Sequence, residues 1–340
     1  MTLQLIYITT LILFLFFLNF FLEKFNLLIH SRFKEEHKKF GQDKIPLSGG
    51  VFFFVILSFL IINESFLSLT LIYSLFAYLL LGLIVDYEIH INPKTRLIVQ
   101  IFLTIGLVLL NDLLISKTNL FFLDDFLKNF YFNIFFTSLC ILIILNGLNF
   151  MDGVNNNVIG FCLLLLISIY IIEYKNASFE NLHFYNLFLL SLVIFYLFNS
   201  FNKNYLGDSG IYILSIFISV LVISFINNSP YVSPILAVNF LWYPAFETLF
   251  SIIRKLFVKK NPFKPDTGHL HTLILKYFGL KRFEFKNTTT GICINLALIP
   301  NFYIAINYHN NSKILFFTSV VYLIIYVMFY FRLNSFLKKK

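Results

Sequence analysis

The sequence predicts an all-α fold, a polytopic transmembrane helical bundle of about 11 helices, on three observations. Apolar residues make up 59% of the 340-residue chain and charged ones only 13%, and the mean hydropathy of +0.81 lies far above that of soluble globular domains. Apolar stretches long enough for a hydrocarbon core of about 30 Å recur from end to end. The basic residues gather in alternate connections.

The expected spans cover 3–22, 46–62, 66–85, 97–114, 132–150, 158–172, 184–198, 211–226, 234–253, 291–306 and 314–331. The first lacks a basic leader and a small-residue cleavage pattern, so it reads as a membrane helix and not as a cleavable signal. The second and sixth are short, with soft ends. Between the fourth and fifth, the segment 111–131 carries Leu120 to Leu123 beside Asp124 and Asp125. No third ligand lies nearby, so that pair reads as part of a surface or interfacial segment. The chain reads as one integral membrane domain, 1–340.

The connections after odd-numbered spans hold most of the Lys and Arg, with six in 23–45 and nine in 254–287. Only Lys117, Lys128, Lys175 and Lys313 fall on the opposite side. Basic loops stay in the cytoplasm, which makes 23–45, 86–96, 151–157, 199–210 and 254–287 cytoplasmic loops, turns the N-terminus outward and leaves the C-terminus inside. The formal charge of +9 then belongs to a surface beside membrane lipids, and no nucleic-acid module is visible. The basic loop from Lys34 to Lys44, with His37, reads as solvated and lipid-facing. Cys140, Cys162 and Cys293 lie inside expected spans without CxxC spacing, which argues against disulfides and a zinc site.

Four polar strings stand where apolar segments end, all on the expected cytoplasmic side: Gly82 to Asp86, Asn146 to Gly153, Tyr205 to Gly210, and Pro265 to His271. A carboxylate at a helix end beside glycine suits magnesium, which takes few protein ligands and shares the rest of its shell with water and phosphate. Asp208 is the best metal candidate: Gly207 allows close approach, and Ser209-Gly210 opens a helix whose N–H groups favour phosphate. Asp152 has the same setting, with Asn149 and Asn146 three and six residues before it, roughly on one helix face. Asp266, His269 and His271 lie among Arg254, Lys255, Lys259, Lys260 and Lys264, which suits an anionic substrate better than zinc. These residues describe a cytoplasm-facing magnesium and phosphate site suited to phosphoryl transfer onto or from a lipid.

In this order the strings resemble the polyprenyl-phosphate N-acetylhexosamine-1-phosphate transferase family (glycosyltransferase family 4). The likeness includes Pro46-Leu47-Ser48-Gly49-Gly50, Asn92-Pro93-Lys94 with Arg96 and Gln100, and the Asn146, Asn149, Asp152-Gly153 series. It continues through Asn199, Tyr205 to Gly210, 244–254 and 262–271. The last two are similar to the polysaccharide and O-antigen-initiating branch. The resemblance implies transfer of a sugar 1-phosphate from a UDP-N-acetylhexosamine to undecaprenyl phosphate, with release of UMP. It implies Mg2+ (or Mn2+) on Asp208, with Asp86, Asp152, His269 and His271 as further catalytic residues. Asn146, Asn149, Asn155, Asn199, Tyr205 and Asp266 would bind substrate, with Tyr205 stacking on uracil and Asn155 hydrogen-bonding it. A multi-pass protein of the bacterial inner membrane is implied, with a periplasmic N-terminus and a homodimer compatible with it.

Three departures from the family pattern stand out. Val85 occupies the first place of a usual aspartate pair, Asn155-Asn156-Asn157 stand where an acid, Gly and Leu are common, and Thr272 replaces a frequent third His. Val85 motivates one rival reading, a catalytically silent homologue that binds a lipid carrier. A proton-coupled transporter is the other, and it expects acids near span centres, not at span ends.

Overall fold

The computed structural model describes residues 2–29, 45–64, 67–87, 89, 91–178, 181–259, 267–281 and 285–339. In chain order its helices are α1 (Thr2–Lys24), α2 (Gly49–Glu64), α3 (Thr70–Asp86), α4 (Pro93–Leu110), α5 (Phe121–Leu127), α6 (Phe130–Met151) and α7 (Asn157–Lys175). They continue with α8 (Leu182–Ser200), α9 (Gly207–Asn228), α10 (Ile235–Phe257), α11 (Leu270–Leu280), α12 (Lys286–Asn307) and α13 (Ser312–Lys338). Each of the eleven expected spans overlaps one of these helices over most of its length, and α5 and α11 are short additions in the connections. Among the described residues nine helices are long and apolar enough to cross a membrane, while α2 and α3 are apolar but shorter. The chain is a multi-pass helical membrane protein.

Helix ends depart from expectation where local capping extends them. α4 starts at Pro93, four residues before the expected span, because the Asn92 side chain accepts from the Lys94 N–H and proline fits the first helical position. Lys94 and Arg96 therefore sit in a first helical turn. α13 is likewise opened by Asn311, whose oxygen accepts from the N–H groups of Lys313 and Ile314. Asp124 accepts from the backbone and hydroxyl of Thr118, both at 2.6 Å, and Asp125 pairs with Lys128 at 2.6 Å, while Phe121, Phe122 and Phe126 stay exposed.

The backbone divides into two compact units, Met1–Ile91 with Glu180–Leu214, and Asn92–Phe179 with Ser215–Lys340. In the first, α2 packs on α3 and α8. The rings of Phe52 and Phe53, fully buried on α2, meet Phe195 of α8, and Phe52 also stacks on Phe14 of α1. The Tyr7 and Ser191 hydroxyls share a hydrogen bond of 3.2 Å across α1 and α8. In lipid, tails are as apolar as the helices, so such close packing and hydrogen bonds drive association.

In the second unit α6 and α10 form the most intimate helix pair. Gly147 permits it: a Cβ there would lie 2.1 Å from the Pro244 carbonyl oxygen. The Thr248 hydroxyl then donates to the carbonyls of Ile143 and Pro244, each at 3.1 Å. Deeper in the unit Asn239 donates to Asn301 and Thr318, and Asn301 returns a bond to the Asn239 carbonyl, joining α10, α12 and α13. The outward faces are apolar, with Phe316, Phe317 and Met328 of α13 largely exposed, as a helix solvated by acyl chains requires.

Gly147→Ala should cost about 1–3 kcal/mol through forced separation of α6 and α10. Gly106→Ala, on α4 with nothing within 4 Å of the new methyl, should be neutral or stabilising by up to about 1 kcal/mol. Thermal unfolding of the detergent-solubilised protein reads both, and equal midpoints for the two variants would remove the close-approach argument.

Candidate active site

One set of candidate residues, with Asp86 and Asp208 as its acids, lies in the first unit and is built around the start of α9. The chain reaches it from α8 through a turn in which Asn202 takes a positive φ of 53° and the Asn199 amide donates to the Asn204 carbonyl at 2.8 Å. Tyr205 then runs beside Leu47: its N–H donates to the Pro46 carbonyl at 2.9 Å, and its carbonyl accepts from Gly49 at 3.2 Å. Gly207, at φ +70°, swings the backbone into α9 in a conformation that glycine adopts freely.

That swing aims the first N–H groups of α9 at Asp86, the last residue of α3. Asp86 Oδ1 accepts from the Asp208 N–H at 2.7 Å, and Oδ2 accepts from the Ser209 N–H at 3.1 Å and the Ser209 hydroxyl at 2.5 Å. A helix normally finds its N-cap in the residue just before it, whereas α9 takes a carboxylate from 122 residues away. The carboxylate also meets the positive end of the helix dipole. Gly82 lets α3 come this near, since a Cβ there would stand 2.2 Å from Ser209 Cα. Asp86 and Ser209 are buried, while Asp208 is half-buried at the same turn. The sequence reading of free N–H groups on Ser209-Gly210 awaiting phosphate is thus corrected in part, because the Ser209 N–H already serves Asp86.

The second unit carries the remaining described residues. Asn146 and Asn149 lie in the last turns of α6, and the Asn146 amide donates back to the Leu142 carbonyl at 2.9 Å. Asp152 is the residue after the helix, with φ −80° and ψ 79°, and is exposed. The single helix face expected for Asn146, Asn149 and Asp152 therefore ends one residue early. Gly153 follows against His271, where a Cβ would fall 2.1 Å from Nε2. His271 is buried and its ring stacks on that of His269, 5.7 Å away, which in turn lies 5.1 Å from Phe150. Burial, with the neighbouring His269 adding to it, pulls the His271 pKa from 6.5 down to about 3, so the ring is neutral near pH 7.

The three asparagines after Gly153 form a buried knot against α12. Asn155 and Asn287 exchange hydrogen bonds, backbone N–H to Oδ1 and Nδ2 to Oδ1, both at 3.1 Å, and the Asn155 amide reaches Thr288 at 3.4 Å. Asn295 donates to the Asn156 carbonyl at 2.8 Å, and Asn157 to the Met151 carbonyl at 2.8 Å. Asn156 holds φ 67°, the left-handed conformation that asparagine tolerates better than most residues. A residue other than the family's glycine is therefore accommodated at that position.

Glu247, Tyr326 and Tyr330 escaped the sequence reading, which names Arg254 and Lys255 near them. Glu247 of α10 is 1% exposed and accepts from the Leu270 N–H at 3.1 Å and the Tyr326 hydroxyl at 2.6 Å. Tyr330 donates to the Gly268 carbonyl at 2.9 Å. The Arg254 guanidinium lies 6.0 Å over the Tyr330 ring, and buried Lys255 5.9 Å over Phe150. A lone glutamate inside an apolar span was the available signal. Asp266 lies outside the described residues, as does the stretch from Lys34 to Lys44.

Among the described residues no three His, Cys, Asp or Glu side chains gather as a metal cage. The donor set fits magnesium in its phosphate-sharing form, one carboxylate at Asp208 with water and substrate oxygens completing the shell.

Residues 68–226 match the family model described as Glycosyl transferase family 4. The chain is 33% identical over 121 residues to an undecaprenyl-phosphate alpha-N-acetylglucosaminyl 1-phosphate transferase of Thermotoga maritima, over 35% of this chain and 40% of that protein. It is 25% identical over 208 residues to a probable undecaprenyl-phosphate N-acetylglucosaminyl 1-phosphate transferase of Bacillus subtilis, over 60% and 57% of the two chains. A Yersinia pestis protein named as the Thermotoga one is 24% identical over 275 residues, 78% of this chain and 75% of its own length. The chain thus spans about half the length of the first two relatives. The family segment includes Asp86, Asp152, Asn199 and Asp208 but stops before Glu247 and the histidines.

His271 gives a stability signature. Its folded pKa lies below the unfolded value, so the unfolded chain binds the proton more readily, and stability is complete above about pH 6.5 and declines as pH falls toward about 3. The thermal midpoint should drop between about pH 7 and 5, and His271→Gln should flatten that drop. Parallel curves for the two proteins would show that His271 does not carry it.

Proposed function

We propose, from the match of residues 68–226 to glycosyl transferase family 4, that the chain transfers an N-acetylhexosamine 1-phosphate from a UDP-sugar to undecaprenyl phosphate. UMP is released, and the step begins synthesis of a cell-surface polysaccharide. The site faces the cytoplasm of a bacterial inner membrane, on the side where basic loops collect. The carrying observation is the junction of Asp86 with the first turn of α9, which holds Asp208 at a helix N-terminus. The names of the Thermotoga and Bacillus relatives make UDP-N-acetylglucosamine the first donor to try.

In this reaction an oxygen of the lipid phosphate attacks the sugar-bearing phosphorus of the donor. The bond from that phosphorus to the bridging oxygen breaks, and UMP leaves with the electron pair. The attacking phosphate is already largely anionic at neutral pH, with a second pKa near about 6, so no carboxylate base is required. The chemistry is then positioning and charge stabilisation, and Val85 in place of a first aspartate is compatible with turnover. Mg2+ on Asp208, when bound, supplies Lewis-acid stabilisation of the diphosphate and the departing UMP. Asp86 keeps Asp208 in register by fixing the backbone of residues 208 and 209. Asp152 and Asn149 organise the phosphate surroundings, His269 donates to phosphate oxygen, and neutral His271 braces Gly153 behind it. Tyr205 offers its ring to the uracil.

UMP release from UDP-N-acetylhexosamines by purified protein with undecaprenyl phosphate tests the reading. Release should depend on Mg2+, and Asp208→Asn should lower it by about 100-fold or more while membrane insertion persists. Val85→Asp should change turnover by less than about threefold, because no base is missing. A large gain in that variant would restore a general-base role at position 85, and silence of the folded wild type with every donor would favour the carrier-binding homologue.

A further inference from the structure

We infer that Glu247 is a positioning residue that locks the His269-Leu270-His271 turn through the Leu270 N–H, with Tyr326 holding the carboxylate in place. The inference rests on the proposed transferase reading for its effect on turnover, though not for the clamp itself. Glu247 sits within the apolar helix α10, 1% exposed, where a carboxylate is costly unless its lone pairs are occupied. Each oxygen has a partner from a different element: Oε1 accepts from the first residue of α11 at 3.1 Å, and Oε2 accepts from Tyr326 of α13 at 2.6 Å. One helical turn along α13, Tyr330 donates to the Gly268 carbonyl at 2.9 Å. Gly268 itself is hemmed in, since a Cβ there would lie 2.0 Å from an Arg254 nitrogen.

The backbone on both sides of His269 is thus held, at 268 by Tyr330 and at 270 by Glu247. The His269 ring stays 3.9 Å from Glu247 Oε1, beyond hydrogen-bond length, so the clamp acts on this turn through its backbone. His269, the N-cap residue of α11, makes no cap with its own side chain, and the first N–H of the helix is met by Glu247 instead. The extended conformation of His269 ahead of the helical Leu270 and His271 leaves the two imidazole rings stacked near-parallel, at 10°.

Amide hydrogen exchange of the full-length protein, read over residues 267–275, tests the clamp directly, with UMP release as the second readout. Glu247→Ala should raise exchange in this stretch by about tenfold or more, and Tyr326→Phe, which leaves the carboxylate but removes its anchor, by a smaller factor. Glu247→Gln, which keeps an acceptor for Leu270, should restore near-wild-type exchange and most of the turnover lost in Glu247→Ala, about 100-fold. Unchanged exchange in both Glu247→Ala and Tyr326→Phe, or loosening spread evenly along α10 and α13, overturns the proposal. Wild-type turnover by Glu247→Ala overturns its part in the reaction. Absence of UMP release from the unmutated chain counts against the transferase reading alone, because exchange decides the clamp independently.

Discussion

A helix that begins at the margin of a bilayer exposes unpaired N–H groups, and its neighbours must satisfy them where water is scarce. Both chemically interesting turns of this protein meet that demand in the same way. Asp86 at the end of α3 accepts from the first turn of α9, and Glu247 within α10 accepts from the first residue of α11. In each case a carboxylate from a different helix replaces the local side-chain cap. The groups beside the capped amides, Asp208 in one unit and the His269-His271 pair in the other, inherit a fixed backbone from the arrangement.

This constraint explains why acids occur at all in so apolar a chain. A carboxylate in low dielectric is tolerable when donors surround it, and helix N-termini provide donors with a favourable dipole. The hydroxyls of Ser209 and Tyr326 complete the two shells. Small residues make the geometry reachable, since α3 could not approach Ser209 with a side chain at Gly82, nor could His271 lie against Gly153. Amides do comparable work away from the acids. The Asn155 to Asn157 knot ties the turn after α6 to α12, and Asn239 with Asn301 ties α10 to α12 and α13.

Departures from a family pattern become intelligible in this setting. Asn156 stands where glycine is usual and adopts φ 67°, which asparagine reaches at modest cost. Asn155, standing where an acid is usual, accepts from the Asn287 amide through Oδ1, donates its backbone N–H to Asn287 in return, and uses its own amide nitrogen as a donor to Thr288, the one of these bonds in which the Asn155 side chain donates. Val85 removes a carboxylate from the end of α3, yet the cap on α9 depends on Asp86 and is intact. His271, buried and neutral, packs against the Gly153 turn.

The sequence by itself determined the nature of the fold and where its eleven long apolar helices lie, though not the short α5 and α11, because span length and apolar composition are local quantities that a bilayer reads directly. It also marked Asp86, Asp152, Asp208 and the two histidines, since polar residues at the ends of greasy segments stand out without any knowledge of their neighbours. Its helix ends erred where caps such as Asn92 and Asn311 act over two or three residues. Only the tertiary structure decided where the carboxylate oxygens go and that Glu247 belongs with the histidines. The reason is physical: a hydrogen bond such as Ser209 to Asp86 joins residues 123 positions apart. No periodicity within either segment encodes that meeting, which depends on which helix faces can approach closely enough to share a proton.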